Sequence, residues 1–257
     1  MIPPLSIGRG NSWKRKEVIG DCTLYLGDCL EIMADIGKVG ACISDPPYGC
    51  GVKYGDEYND SRPDYWEWFR TRLDVILSIS TVTAFTHRNH ALKHLTDWDW
   101  IGVWNKPGSF GSRIGNSCIL PHWEPIFMYG IHKIGVSSEY LADVLTYNPQ
   151  PAGAGHKGLG REKWQKDGNK SHPTPKPPPL MKRLIKTIAQ NADVILDPFM
   201  GSATTLECAA KMGRKAIGIE IEPKYFDIAC KRIEDAYRQP DMFVEPVKPA
   251  KQEEMLL

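Results

Sequence analysis

The segment from Val194 to Thr205 constrains the fold of this chain more than any other, because it joins an apolar strand to a helix through a glycine loop. The apolar run ends at Asp197, and Gly201 follows with a group of small hydroxylated residues. Strand–loop–helix units of this kind build parallel α/β sheets, whose ligands bind at the carboxyl ends of the strands. We therefore predict an α/β fold with a mostly parallel central sheet and helices on both faces.

The composition of this loop indicates what it binds. Gly201 permits a close backbone approach, and the following hydroxyls open a helix whose first amides favour a negative group. Around Gly201 there is neither the Gly-Lys-Ser/Thr ending of a phosphate-binding loop nor the Gly-x-Gly-x-x-Gly string of a dinucleotide site. A nucleoside without a pyrophosphate fits this loop better.

The next predicted strand runs from Lys215 to Ile221 and carries Glu220 near its end. An acid at this place hydrogen-bonds the ribose diol in nucleotide-binding folds. Pro223 then opens a helix that we expect to stop before Pro240. Its apolar residues recur at three- and four-residue spacing and are assigned to the core. They are Phe226, Ala229, Cys230, Ile233 and Tyr237.

A second motif, Asp45-Pro46-Pro47-Tyr48, follows the short apolar strand 41–44. A carboxylate accepts hydrogen bonds from an amine, two prolines stiffen the turn, and an aromatic ring offers a stacking face. Taken alone, the tetrapeptide is equally typical of an ordinary turn. With a nucleoside loop elsewhere in the chain, it instead indicates a pocket for the exocyclic amine of a flat base.

These motifs make the chain similar to the S-adenosylmethionine-dependent DNA amino-methyltransferases, which modify adenine N6 or cytosine N4. In that family Asp-Pro-Pro-Tyr is catalytic, and Asp-Pro-Phe-x-Gly-Ser-Gly-Thr-Thr holds the methionine end of the cofactor. Here Ala203 replaces the second glycine, a change that we expect to be tolerated at the start of the helix. The catalytic motif comes first, as in the circularly permuted beta class, so the resemblance implies a Rossmann-like methyltransferase fold.

Two shorter segments extend the resemblance. Residues 24–29 resemble the strand whose terminal acid contacts the adenine of the cofactor, and 172–177 resemble the His-Pro-Thr-x-Lys-Pro segment that helps to close the cofactor site. The cofactor-binding residues that the resemblance implies are Asp28, Cys29, Asp45, His172, Thr174, Lys176, Asp197, Pro198, Phe199, Gly201, Ser202, Thr204, Thr205, Glu220 and Ile221.

The predicted reaction is direct attack of the amine on the sulfonium methyl group of S-adenosylmethionine. Asp45, helped by the carbonyl of Pro46, would hold the amine hydrogens and stabilise the positive charge that develops on nitrogen. A duplex base must flip out to be reached, and Tyr48 is the predicted stacking partner. Asp45, Pro46, Pro47 and Tyr48 are the predicted catalytic residues.

Adenine N6 in DNA is the predicted target, because an aspartate rather than a serine precedes the prolines. Cytosine N4 and adenine in RNA remain as alternative targets, because both would use the same pocket. A noncatalytic nucleic-acid-binding relative remains as a separate alternative. Whole-chain net charge is only +1, but residues 156–186 carry nine lysines and arginines against two acids. Such a run is either a solvated loop or an arm over a phosphate backbone. The predicted DNA contacts are Arg113, Lys157, Arg161, Lys163, Lys166 and Lys170.

The 257 residues are expected to form one methyltransferase domain over 1–238, with a target-recognition insertion around 108–170 and a flexible tail over 239–257. Seven scattered cysteines indicate reduced packing residues in a cytoplasmic protein. The resemblance implies that the cell is a bacterium or a phage-infected host. We expect no metal and no membrane segment, and the resemblance allows a homodimer.

The middle of the chain is the least informative part of the sequence. We predict strands over 81–86, 98–104 and 124–129, which would complete the sheet. His87 and Arg88 follow a strand end and are equally consistent with a cleft or a surface pair. Neither Asn105-Lys106-Pro107 nor His122-Trp123-Glu124-Pro125 can be assigned a role.

Overall fold

The computed structural model describes residues 12–51, 53–54, 58–107, 121–135, 140–149 and 176–238. The strands are β1 (Arg15–Ile19), β2 (Cys22–Leu26), β3 (Val39–Ser44), β4 (Lys53–Tyr54), β5 (Tyr58–Asn59), β6 (Ser80–Thr86), β7 (Trp100–Asn105), β8 (Trp123–Tyr129), β9 (Val144–Thr146), β10 (Val194–Asp197) and β11 (Lys215–Glu220). The α-helices are α1 (Cys29–Met33), α2 (Tyr65–Ile79), α3 (Pro178–Thr187), α4 (Thr204–Lys211) and α5 (Pro223–Arg238).

Nine of these strands form one sheet in the order β1-β2-β11-β10-β3-β6-β8-β7-β9. Strands β2, β11, β10, β3 and β6 are mutually parallel, so their carboxyl ends meet at one edge. β8 runs antiparallel to both β6 and β7, while β4 and β5 form a separate hairpin. The predicted α/β class with a mostly parallel central sheet is confirmed.

Helices cover both faces of the sheet. On one face α3, α4 and α5 bury residues such as Leu184, Leu206 and Phe226 against the strands. On the other face α1 and α2 pack through Ile32 and Ile76. The apolar spacing that predicted the helix after Pro223 therefore marks the core-facing stripe of α5, apart from Tyr237.

Tyr237 departs from the predicted stripe of α5. Its side chain is 37% exposed, and its hydroxyl accepts a hydrogen bond of 2.8 Å from the backbone N–H of Asp21. Its ring lies over Gly20, whose φ of +55° and lack of a Cβ permit this approach. The ring thus packs the carboxyl-terminal end of α5 against the β1–β2 turn and does not enter the core.

The domain boundaries and the recognition insertion around 108–170 stay predictions. Residues 121–135 and 140–149 contribute β8 and β9 to the central sheet, and the remainder of that insertion lies outside the described residues. The whole predicted tail, 239–257, likewise lies outside them. No helix in the part of the chain that the structure describes is long and apolar enough to cross a membrane.

Candidate active site

Four parallel strands deliver acidic residues to one edge of the sheet. Asp28 follows β2, Glu220 ends β11, Asp197 ends β10 and Asp45 follows β3. These strands are consecutive in the sheet, so the acids converge although they are distant in sequence. This is the edge at which open α/β sheets bind ligands.

A cavity of about 370 Å³ opens at this edge, within the size range of small-molecule sites. Eight predicted cofactor residues line it: Asp28, Cys29, Asp45, Pro198, Phe199, Gly201, Glu220 and Ile221. The sequence did not single out four further lining residues, Arg62, Trp68, Arg72 and Tyr225. A smaller adjoining cavity of about 30 Å³ is lined by Asp45, Lys176, Asp197, Ser202, Thr204 and Thr205, among others.

Glu220 is buried at the tip of β11 and is held by backbone amides. Its two carboxylate oxygens accept hydrogen bonds from Gly201 N at 2.9 Å and from Glu222 N at 2.8 Å. Burial raises the pKa of Glu220 to about 7, although these amides oppose the shift. The contact with Gly201 ties the cofactor loop to the neighbouring strand.

Asp197 ends β10 in a similar environment. Its Oδ1 accepts hydrogen bonds from Ser44 Oγ at 2.6 Å and from Phe199 N at 3.2 Å. Burial raises the pKa of Asp197 to about 6. Its hydrogen bond to Ser44 links the cofactor loop to the strand that carries the Asp45 motif.

Asp28 begins helix α1 and also lines the large cavity. Its carboxylate accepts a hydrogen bond of 2.7 Å from Leu30 N and forms a 2.8 Å ion pair with Arg72. The guanidinium of Arg72 lies 4.3 Å from the ring centroid of Trp68. Helix α2 therefore contributes a cation and an aromatic face to the cavity. No sequence motif marks these two residues, because their place in the site depends on how α2 packs against the sheet.

Ala203 adopts a left-handed backbone, with φ of 64° and ψ of 39°, and is the only described non-glycine residue with positive φ. Its side chain is fully buried against the core. A Cβ in this conformation costs about 1–2 kcal/mol. Ala203 is thus accommodated at the start of α4, but with strain that the glycine of the family motif would avoid.

Asp45 lies between the two cavities, and its carboxylate is surrounded by two hydroxyl groups and an ammonium group. Thr86 Oγ1 donates to Oδ1 at 2.6 Å, and the hydroxyl of Tyr48 lies 3.0 Å from the same oxygen. The ammonium nitrogen of Lys176 lies 2.8 Å from both carboxylate oxygens. The catalytic motif and the Lys-Pro end of the 172–177 segment are therefore in direct contact.

A second buried acid, Glu124 on β8, joins this cluster. Its Oε2 accepts a hydrogen bond of 2.8 Å from the hydroxyl of Tyr48, and its Oε1 accepts one of 2.8 Å from Lys106. Burial alone would raise the pKa of Glu124, but the ammonium groups of Lys176 and Lys106 lower it below its usual value. Lys106 and Glu124 belong to the two segments to which the sequence assigned no role. The signal available in the sequence was a charged residue in or next to a predicted apolar strand.

The ring of Tyr48 is stacked on the imidazole of His87, with ring centroids 4.7 Å apart and planes inclined by 20°. His87 is fully buried, so it faces the site and is not a surface residue. Burial lowers the pKa of His87 to about 3, which keeps the ring neutral. Its predicted partner Arg88 is half-buried and donates to the carbonyl of Gly49 at 3.1 Å.

The hydrogen bonds of His87 assign its tautomer. Nδ1 accepts from the backbone N–H of Arg88 at 2.9 Å, so the proton lies on Nε2 and is donated to the hydroxyl of Tyr65, 2.8 Å away. That hydroxyl in turn donates to the carbonyl of Pro47. Helix α2 and the loop after β6 therefore position the Asp45-Pro46-Pro47-Tyr48 turn.

The remaining predicted site residues lie outside the described residues, so their roles stay predictions. They are His172 and Thr174 of the cofactor segment and the DNA-contact residues Arg113, Lys157, Arg161, Lys163, Lys166 and Lys170. Among the residues that the structure does describe, no group of three or more histidines, cysteines or acids could hold a metal ion.

Comparison with known proteins identifies the family. The DNA methylase family matches residues 39–231. The type II methyltransferase M.HinfI of Haemophilus influenzae is 38% identical over 264 residues, covering 88% of this chain and 72% of that protein. The type II methyltransferase M2.DpnII of Streptococcus pneumoniae is 47% identical over 73 residues, covering 28% of this chain and 26% of that protein.

The chain belongs to the DNA methylase family, and the predicted resemblance to S-adenosylmethionine-dependent DNA amino-methyltransferases is confirmed.

Solved structures agree with this fold. The PvuII DNA methyltransferase, described as cytosine-N4-specific, has a TM-score of 0.63 at 17% identity and covers 88% of this chain and 95% of that chain. The M1.HpyAVI–SAM complex has a TM-score of 0.55 at 22% identity, and the match covers 82% of this chain and 99% of that chain. At these identities the likeness concerns the fold, and the predicted Rossmann-like methyltransferase fold is confirmed.

Proposed function

We propose that this DNA amino-methyltransferase transfers a methyl group from S-adenosylmethionine to the exocyclic N6 amine of adenine in duplex DNA. The observation that carries the proposal is the place of Asp45, which lines both the large cavity and the adjoining small one. A carboxylate at this junction can hold a base amine beside a methyl donor in the large cavity.

The residues of the large cavity fit the cofactor of the family. The carboxylates of Glu220 and Asp28 are acceptors for hydroxyl and amine groups, while Trp68 and Phe199 offer aromatic faces to a purine. Gly201 and the amino-terminal end of α4 are suited to the carboxylate of the methionine end. When bound there, S-adenosylmethionine supplies an electrophilic methyl group.

The protein's own part in the reaction is to prepare the amine. Asp45 accepts hydrogen bonds from the amine, which turns the nitrogen lone pair out of the plane of the base. The same carboxylate stabilises the positive charge that forms on nitrogen during attack. The nitrogen then loses a proton to solvent or to Asp45, and the mechanism needs no covalent enzyme intermediate.

The choice of adenine rests on the aspartate before Pro46 and Pro47. Cytosine N4 is the second candidate, because its amine has the same geometry and would meet the same carboxylate. In both cases the base must leave the duplex, and we propose that Tyr48 stacks on it. His87 is stacked on the Tyr48 ring and the ammonium of Lys176 lies 4.8 Å from the ring centroid, so Lys176 has to make room for the base. The basic residues 157–170 are proposed to bind phosphates. The protein is proposed to act in the cytoplasm, either as the modification partner of a restriction system or as a solitary modifier.

The test is direct identification of the product. The full chain is incubated with S-adenosylmethionine and unmethylated duplex DNA, the DNA is digested, and nucleosides are compared with synthetic standards by mass spectrometry. N6-methyladenine supports the proposal, and N4-methylcytosine moves the target to the second candidate. Absence of both products, with cofactor binding shown by calorimetry, contradicts DNA methylation by this chain alone, and RNA in the same assay would test that alternative.

A further inference from the structure

In this structure the ammonium of Lys176 contacts both oxygens of the catalytic carboxylate and is the one described partner of Oδ2. The other oxygen, Oδ1, also accepts from Thr86 and faces the hydroxyl of Tyr48. A base amine that donates to Asp45 therefore competes with these groups for the carboxylate. Which donor leaves depends on where else it can find a partner, because a buried polar group without one is costly.

Lys176 has such an alternative partner. Its ammonium nitrogen lies 3.7 Å from Glu124 Oε2, just beyond hydrogen-bond distance. A shift of roughly 1 Å would bring it within the usual range. The hydroxyl of Thr86 has a second partner in the hydroxyl of Tyr48, but Thr86 is fully buried at the end of β6 and has a short side chain that cannot withdraw as a lysine can. Lys176 is thus the donor that can leave.

The charges of the cluster allow this movement. Asp45 and Glu124 face Lys176 and Lys106, so the four groups are neutral together, and their side chains are all at most 20% exposed. Burial alone would lower the pKa of Lys176, but the carboxylates of Asp45 and Glu124 outweigh it and raise that pKa above its usual value. Lys176 stays a cation, which must keep an anionic partner when it leaves Asp45.

We infer that Glu124 is a positioning residue that receives Lys176 when the target amine enters, and so frees Asp45 to bind that amine. Lys106 holds Oε1 of Glu124 and leaves Oε2 facing Lys176 and Tyr48. The exchange keeps every buried charge paired before and after the base arrives. This inference rests on the proposed function, because it concerns the same amine-binding carboxylate.

The inference predicts a specific coupling between two residues. E124Q keeps the shape and an acceptor oxygen for Tyr48 but removes the charge that receives Lys176. The single-turnover rate of methyl transfer should fall by roughly tenfold or more in the wild-type background, yet by less than about threefold in the K176M background, where no ammonium occupies Asp45. Cofactor affinity, measured by calorimetry, should stay within about threefold in E124Q.

A matched control separates this effect from the general loss of a carboxylate. D97N makes the same acid-to-amide change at Asp97, which forms a 2.7 Å ion pair with Arg70 outside the site. This variant should leave the rate unchanged. If E124Q lowers the single-turnover rate by the same factor in the wild-type and K176M backgrounds, the inference is overturned. Absence of methylated nucleosides with the wild-type chain would instead reject the proposed function.

If K176M proves inactive, a structure gives the answer without turnover. The wild-type protein is crystallised with S-adenosylhomocysteine and a duplex that contains its target base. An ammonium of Lys176 within hydrogen-bond distance of Glu124 and withdrawn from Asp45 supports the exchange. An ammonium still in contact with Asp45 while the base amine is bound contradicts it.

Discussion

Two pairs of acids meet at the same sheet edge, but their surroundings are opposite. Glu220 and Asp197, on the cofactor side, are held by neutral donors, and burial raises the pKa of each. Asp45 and Glu124, on the base side, are neutralised by two lysines. Neutral donors leave an acid free to receive a ligand's hydroxyl, whereas an ion pair must open first.

The base-side acid should have the larger effect on chemistry. D45A is expected to lower the methyl-transfer rate by roughly 10³-fold, because it removes both the acceptor for the amine and the charge that stabilises the developing cation. Single-turnover measurement with saturating cofactor checks this. Cofactor affinity should change little by comparison, and substantial turnover in D45A would show that another group activates the amine.

The cofactor-side acid should act on binding instead. E220Q is expected to weaken S-adenosylmethionine binding by about 10- to 100-fold, the loss of a hydrogen bond to a charged acceptor. Isothermal calorimetry measures the affinity, with D97N as the control for an acid-to-amide change away from the cavity. An unchanged affinity in E220Q would remove Glu220 from the cofactor site and weaken the contrast between the two sides.

The raised pKa of Glu220 also predicts a pH dependence of stability. The folded chain keeps this proton up to a pKa of about 7, while an unfolded chain releases it near 4.5. Between these values the folded state binds more protons, so the contribution of Glu220 to stability declines as pH rises and is lost above pH 7. Urea unfolding of the cofactor-free protein at several pH values measures this. The free energy of unfolding should decline less steeply with rising pH in E220Q than in the wild type.

The smallest effect is expected where the cofactor loop enters α4. A203G relieves about 1–2 kcal/mol of left-handed strain and loses about 0.8 kcal/mol of buried methyl surface, for a gain of up to about 1 kcal/mol in unfolding free energy. A209G, at a buried alanine inside the same helix, should instead destabilise the protein by about 2 kcal/mol, because it loses both helix propensity and buried methyl surface. Destabilisation by A203G would show that the methyl packing outweighs the strain.

Local pattern was sufficient for the acids on the cofactor side of the site, although not for the residues that α2 adds to the cavity. Asp197 and Glu220 each end an apolar run whose length and composition indicate a strand, and Gly201 follows at once. Parallel strands bring their carboxyl ends together whatever their order, so the convergence of these acids could be predicted. The strained backbone of Ala203 could not, because φ depends on how the loop closes against β11.

The base side depended on tertiary structure. Asp45-Pro46-Pro47-Tyr48 is legible as a motif, but its partners Thr86, His87, Lys106 and Glu124 come from the ends of β6, β7 and β8 and from the loop after β6. These residues meet only because β8 inserts antiparallel between β6 and β7. The sequence by itself thus determined the family, the sheet and the acids that end its strands. Only the packing of distant strands decided which cations neutralise the catalytic acid, because buried charges pair by proximity in space and not by spacing along the chain.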